Sequence, residues 1–154
     1  MESSSFKTYK KVVAEIQATY NPKNQAQAIK VSSSQAVNQY IRKVYPVDIE
    51  MREAFMCLYL NRANNVQGFA VISIGGLSGT VADPKTIFQH ALLCNAAHII
   101  MIHNHPSGNT QPSQQDINLT RKVKSVGEAM DLPVLDHVIL TKESFFSFAD
   151  ECLL

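Results

Sequence analysis

"IIMIHNHPSGNTQPSQQD", residues 99–116, is the stretch from which the fold can be read. A short apolar run leads into His103 and His105, then into the turn residues Pro106 and Gly108. The box Ser113–Asp116 then opens an apolar spacing at Leu119, Val123, Val126 and Met130 that marks a long helix. The segment therefore reads as buried strand, loop, helix. Residues i and i+2 of a strand share a face, so a strand ending here aims both imidazoles at one point. Asp116 arrives in the first helical turn, near the positive end of the helix dipole.

Working outward, "EAFMCLYL" and "VQGFAVISIG", joined by "NRANN", read as two antiparallel strands, the first apolar on both faces except for Glu53. Asp83 and Pro84 form an N-cap and first-turn pair for a helix with Ile87, Phe88, Ala91 and Leu92 on its core face. Downstream, "PVLDHVIL" and "SFFSF" supply closing strands. At the start, Phe6, Tyr9, Val13, Ile16 and Tyr20 line one face of an amphipathic helix broken by "NPKN". A short extended "AIKV" follows. The serines at 32–34 then offer caps for a second helix with Val37, Tyr40, Ile41, Val44 and Tyr45 inward, stopped by Pro46. Helices interleaved with strands, and hairpins at both ends, give an α/β (mixed α+β) class: a mixed sheet flanked by helices. The expected division is an N-terminal helical extension, 1–33, and a domain, 34–154.

Two imidazoles and a carboxylate supply three protein ligands for zinc and leave the fourth position to water, the donor set of a hydrolytic site rather than a closed structural one. Plainer readings stand beside this one. Ser113 to Asp116 is also a capping box, and His-x-His also closes strands that bind nothing. A hydrolytic centre needs a proton acceptor. Glu53 is the first candidate, because a carboxylate set among Ala54, Phe55, Met56 and Leu58 costs several kcal/mol to bury without a partner and so implies one. Glu50 is a weaker alternative. Asp136 and His137 face opposite sides of an alternating strand, so at most one could serve the metal, and both stay outside the ligand set. The letters "HNH" are no nuclease signature, since that motif spreads over a far longer stretch.

Composition sets the outer bounds. At 154 residues the chain is one domain with room for a real core. No segment has the apolar length of a membrane span, and "MESSSFKTYKK" lacks the apolar centre of a signal peptide, so a cytoplasmic protein is expected. Cys57, Cys94 and Cys152 are odd in number and far apart, which fits reduced thiols rather than a disulfide framework. The net charge of +1 divides into +5 for residues 1–45 and −4 for the remainder. A basic arm can hold an acidic partner or make weak contact with nucleic acid, but seven Lys/Arg over 45 residues is an ordinary density and fits a solvated lysine-rich helix face better.

"HNHPSGNTQPSQQD" resembles the JAB/MPN metalloprotease signature: an upstream glutamate, then H-x-H-P, a loop and S-x-x-D. It is most similar to the RadC family, whose members commonly read HNHPSG followed by PS-x-x-D. "REAF" at 52–55, "ADPKTIFQHAL" and "PVLDHVIL" extend the likeness over roughly residues 34–154. The resemblance implies a cytidine-deaminase-like JAB sandwich, Glu53 as catalytic glutamate, and His103, His105 and Asp116 as zinc ligands. It also implies Ser113 as the hydroxyl that binds the developing oxyanion, and a peptide or isopeptide substrate. Asn104 stands where eukaryotic deubiquitinating members have Ser or Thr, so a ubiquitin-type substrate does not carry over. Longer members carry an N-terminal helix-hairpin-helix domain, of which this sequence has only a short helical start. The alternative from another class is a non-catalytic adaptor in DNA metabolism that binds DNA or a partner protein, in line with the family's DNA-repair label. Residues 1–25 are expected to dock by their apolar stripe on the domain or on a second copy of the chain, the latter giving a homo-oligomer. Nucleotide deamination on a related fold is disfavoured by the missing P-C-x-x-C.

Overall fold

A computed structural model of the chain describes Tyr20, residues 29–75 and residues 82–154. The amphipathic helix expected from Phe6 to Tyr20 falls outside the described residues. The elements are α1 (Ser34–Ile41), β1 (Ala54–Leu60), β2 (Val66–Ile74), α2 (Pro84–Leu93), β3 (His98–Asn104), α3 (Gln114–Ala129), β4 (Val134–Leu140) and β5 (Phe145–Ser147). The five strands form one mixed sheet in the order β2-β1-β3-β4-β5. Only the β3–β4 pair is parallel; β1–β2, β1–β3 and β4–β5 are antiparallel. The strand that carries the histidines is therefore the central one. A parallel neighbour demands a crossover, and α3 provides it between β3 and β4.

Alternation along the strands sorts the core into two faces. Phe55, Cys57, Tyr59, Ile99 and Met101 pack with Ile87, Phe88 and Ala91 of α2 and Val123 of α3. Met56, Leu58, Leu60, Ile100, Ile102, Val138 and Leu140 pack with Val37 and Ile41 of α1. Helices thus cover both sides of the sheet, as the pattern predicts. Val31 is buried in the second cluster, and Lys30 bridges to Asn65 at the turn between β1 and β2.

The caps follow the sequence closely: Ser33 caps α1, Asp83 caps α2 with Pro84 in its first turn, and Ser113 caps α3. The sequence carries α1 on toward Pro46, whereas the helix stops at Ile41 and Lys43 and Val44 continue in tighter turns to Tyr40 and Ile41. A residue before proline is disfavoured in helical conformation, and Tyr45 has tertiary bonds to make instead. Met130 likewise leaves the expected stripe: it is the C-cap of α3 and is exposed.

Gly127 is fixed by a close approach. A Cβ there would lie 2.5 Å from the Leu132 carbonyl oxygen, a backbone atom that returns under the helix and whose own N–H donates to the Gly127 carbonyl. Gly127→Ala gains about 1 kcal/mol of helix propensity but forces that backbone apart, a strain of about 1–3 kcal/mol. A lowered melting temperature is expected, and an unchanged or raised one would show that the turn gives way.

Candidate metal centre

The C-terminal end of β3 and the N-terminal end of α3 meet where the loop 105–113 folds back. His103 Nε2 lies 3.0 Å from His105 Nε2 and 3.1 Å from Asp116 Oδ1, and His105 Nε2 lies 3.5 Å from Asp116 Oδ2. One donor atom from each residue fits within a span of 4.8 Å. Ligands bonded tetrahedrally to zinc at about 2.0–2.1 Å stand roughly 3.3 Å apart, so the spacings of His103 Nε2 from His105 Nε2 and from Asp116 Oδ1 suit that group, as does the donor chemistry. His103 is buried, while His105 and Asp116 keep a partly open side, at 16% and 14% exposure. A site of this form could hold an ion, with one side left open to solvent.

Each ligand is held by a named partner. The His105 Nδ1–H donates to the Asn109 carbonyl at 2.7 Å, which leaves Nε2 bare toward the cluster. Gly108, at φ +80°, lies in the turn that brings Asn109 back. Asp116 Oδ2 accepts from the Ser113 backbone N–H at 2.7 Å and from its hydroxyl at 2.6 Å, so Oδ1 is the oxygen free for a cation. The capping box is present, and the carboxylate it uses also belongs to a His-His-Asp cluster that could hold a metal ion. Burial raises the Asp116 pKa, but hydrogen bonds with His103, His105 and Ser113 outweigh it and hold the carboxyl far below the usual range. In its protonated form the His105 ring also donates to Asp116, which holds its pKa above the ordinary value against the opposing effect of burial.

Glu53 comes to the site through sheet register. Phe55 of β1 lies opposite His103 and stacks on its ring, with centroids 5.8 Å apart. Continuing the antiparallel register by two residues sets Glu53 opposite His105 and on the same face. Its charge contributes to raising the pKa of both His105 and Tyr45. The partner expected for its carboxylate is absent among the described residues. Glu53 sits just before the buried run and is only half-buried, so it escapes the full cost of burial that would have required a partner. Glu50, the alternative, is exposed and paired with Lys142 at 2.8 Å.

Asn104 points to the opposite face and does different work. Its Nδ2 donates to the carbonyls of Ile49 and Arg52, both at 2.7 Å, and its Oδ1 accepts from the Ala54 N–H at 2.8 Å. The Tyr45 hydroxyl lies 2.6 Å from the same Oδ1 and 2.7 Å from the Ala54 carbonyl oxygen. Burial pushes the Tyr45 hydroxyl far above the usual phenol range and keeps it a neutral donor. The residue between the two histidines thus clamps the segment that delivers Glu53. Asn104→Ala orphans several buried groups at about 1–3 kcal/mol each. Denaturant unfolding is expected to show a loss of about 3 kcal/mol or more with metal uptake retained, and a loss below 1 kcal/mol would mean the clamp is slack.

His137 and Thr120 are the neighbours that sequence reasoning did not attach to the site. His137 is fully buried beside His103, with ring centroids 4.9 Å apart, and is stacked on Phe148. Burial, and then the proximity of His103, hold its pKa well below the ordinary imidazole value. Asp136 turns the other way and accepts from the N–H groups of His137 and Ala149 and from the Ser147 hydroxyl. The opposite facing of the pair was legible in strand alternation. The tie of His137 to His103 was not, because it crosses from β3 to β4.

The RadC-like JAB domain family matches residues 31–153. A UPF0758 protein of Flavobacterium johnsoniae is 43% identical over 99 residues, covering 64% of this chain and 43% of its own length. UPF0758 protein NTHI1125 of Haemophilus influenzae is 41% identical over 105 residues, 68% of this chain and 48% of its own. A UPF0758 protein of Enterococcus faecalis is 38% identical over 122 residues, 79% of this chain and 52% of its own. The chain spans about half the length of the curated relatives it matches. Among the described residues no helix is long and apolar enough to cross a membrane. The family match runs through the whole sheet, His103, His105 and the Asp116 turn of α3, and on it this chain belongs to the RadC-like JAB domain family.

Proposed function

We propose that this domain is a zinc-dependent hydrolase of peptide or isopeptide bonds. The observation that carries the reading is the convergence of His103 Nε2, His105 Nε2 and Asp116 Oδ1 at the end of the central strand, with the second polar atom of each already held by a protein partner. These three atoms would hold the ion. When bound, zinc supplies a Lewis acid and lowers the pKa of a coordinated water to about 7. Glu53, with no hydrogen bond or ion pair committed to its carboxylate among the described residues, takes the proton of the attacking water and returns it to the leaving amine. Ser113 is exposed at the rim, and its hydroxyl donates to the substrate oxygen as charge develops there, exchanging the bond to Asp116 Oδ2 for one to the oxyanion.

The test is elemental analysis of protein purified without added metal, followed by a screen of peptide and isopeptide substrates. About one zinc per chain and turnover that a chelator abolishes are expected. Zinc-loaded protein that turns over nothing, yet binds DNA with strong salt dependence, would replace the hydrolase by the adaptor.

A further inference from the structure

We infer that His137 and Thr120 form a one-directional hydrogen-bond relay that holds His103 in its Nδ1–H tautomer and so keeps the Nε2 lone pair facing the metal position. This rests on the metal centre proposed above. The assignment starts at an atom that only accepts, the Asp116 carbonyl oxygen, 2.6 Å from Thr120 Oγ1. The single hydroxyl proton goes there, and Thr120 offers only lone pairs to His137 Nδ1 at 2.7 Å. His137 Nδ1 is therefore the donor. A neutral ring has one N–H, so His137 Nε2 is bare and accepts from His103 Nδ1 at 2.9 Å. His103 Nε2 is left as a lone pair, and this is the atom that faces His105 and Asp116.

Run the other way, with Thr120 donating to His137, the relay places a proton on His103 Nε2 itself, the one atom that must be bare. Only one direction serves a metal. The three residues of the relay are at most 1% exposed, so water has no access to replace a lost link. Thr120 also stands four residues after Asp116, one helical turn on. The same turn thus presents the carboxylate ligand and anchors the tautomer of the histidine ligand across the sheet, which makes Thr120 and His137 positioning residues.

The experiment titrates zinc into the metal-stripped protein against a chromogenic chelator and reads the histidine ring nitrogens of the zinc-loaded wild type by 15N NMR. Thr120→Val keeps the shape and removes the hydroxyl, so His137 Nδ1–H loses its acceptor. Zinc affinity is expected to fall about 10- to 100-fold, with Thr120→Ser close to wild type and His137 protonated on Nδ1. Equal affinity of wild type and Thr120→Val, or a His137 proton on Nε2, overturns the relay while leaving the metal centre intact. A wild type that takes up no zinc overturns the metal centre instead, and the relay with it. Should Thr120→Val fail to fold, the tautomer in the wild-type spectrum decides alone.

Discussion

His103→Ala protein is expected to emerge from purification without zinc, and zinc added back is expected to leave its melting temperature unmoved. Three protein donors is the ordinary number for a catalytic zinc site, and His103 is the donor through which the other two meet: its Nε2 lies 3.0 Å from His105 and 3.1 Å from Asp116. What remains after the change is one imidazole and one half-shared carboxylate. The loss should exceed the roughly 10- to 100-fold that removal of an outer hydrogen-bond partner costs. The substitution also empties a buried position between Phe55 and His137 and leaves His137 Nε2 without its partner, so the metal-free protein should melt lower as well. The two effects separate by ligand linkage. At a zinc concentration about 100 times its Kd the wild type gains roughly 2.7 kcal/mol, and the variant gains nothing. Equal zinc content in wild type and His103→Ala would remove the site as drawn.

Glu53→Gln is expected to keep zinc at the wild-type level and to lose hydrolysis by about 10²- to 10⁴-fold. The amide has nearly the shape of the carboxylate but cannot accept a proton at neutral pH, so the loss falls on the chemical step. Because the Glu53 side chain is half-buried and holds no hydrogen bond or ion pair among the described residues, its replacement should move stability by no more than about 0.5 kcal/mol. Loss of activity with an intact melting curve and intact zinc is thus the signature of a base rather than of a structural carboxylate. An active Glu53→Gln protein would overturn the mechanism and transfer the role to Glu50, which would first have to leave its ion pair with Lys142.

The features legible in the sequence are those whose physics is short-range. Strand alternation sets His103 and His105 on one face and Asn104 on the other, the serine box fixes the start of α3, and the apolar runs of β1 and β3 mark strands covered on both sides. Those local rules yield the mixed sheet flanked by helices and bring His103, His105 and Asp116 into one cluster, because two of its members are two residues apart and the third opens the next element.

The tertiary structure decided what depends on register and on pairs distant in the chain. Among the described residues Glu53 lacks the expected partner, because the strand begins one residue later, at Ala54, and a half-buried carboxylate escapes the full cost of burial. The end of α1 at Ile41 follows from the pull of Asn104 and Ala54 on Tyr45, groups that only the β1–β3 pairing brings there. His137 reaches His103 because β4 lies parallel beside β3, and Thr120 reaches His137 because α3 crosses over that pair. Periodicity carries no information about which strands become neighbours. Donor and acceptor directions between buried side chains are fixed only once the sheet has closed and excluded the water that would otherwise satisfy them.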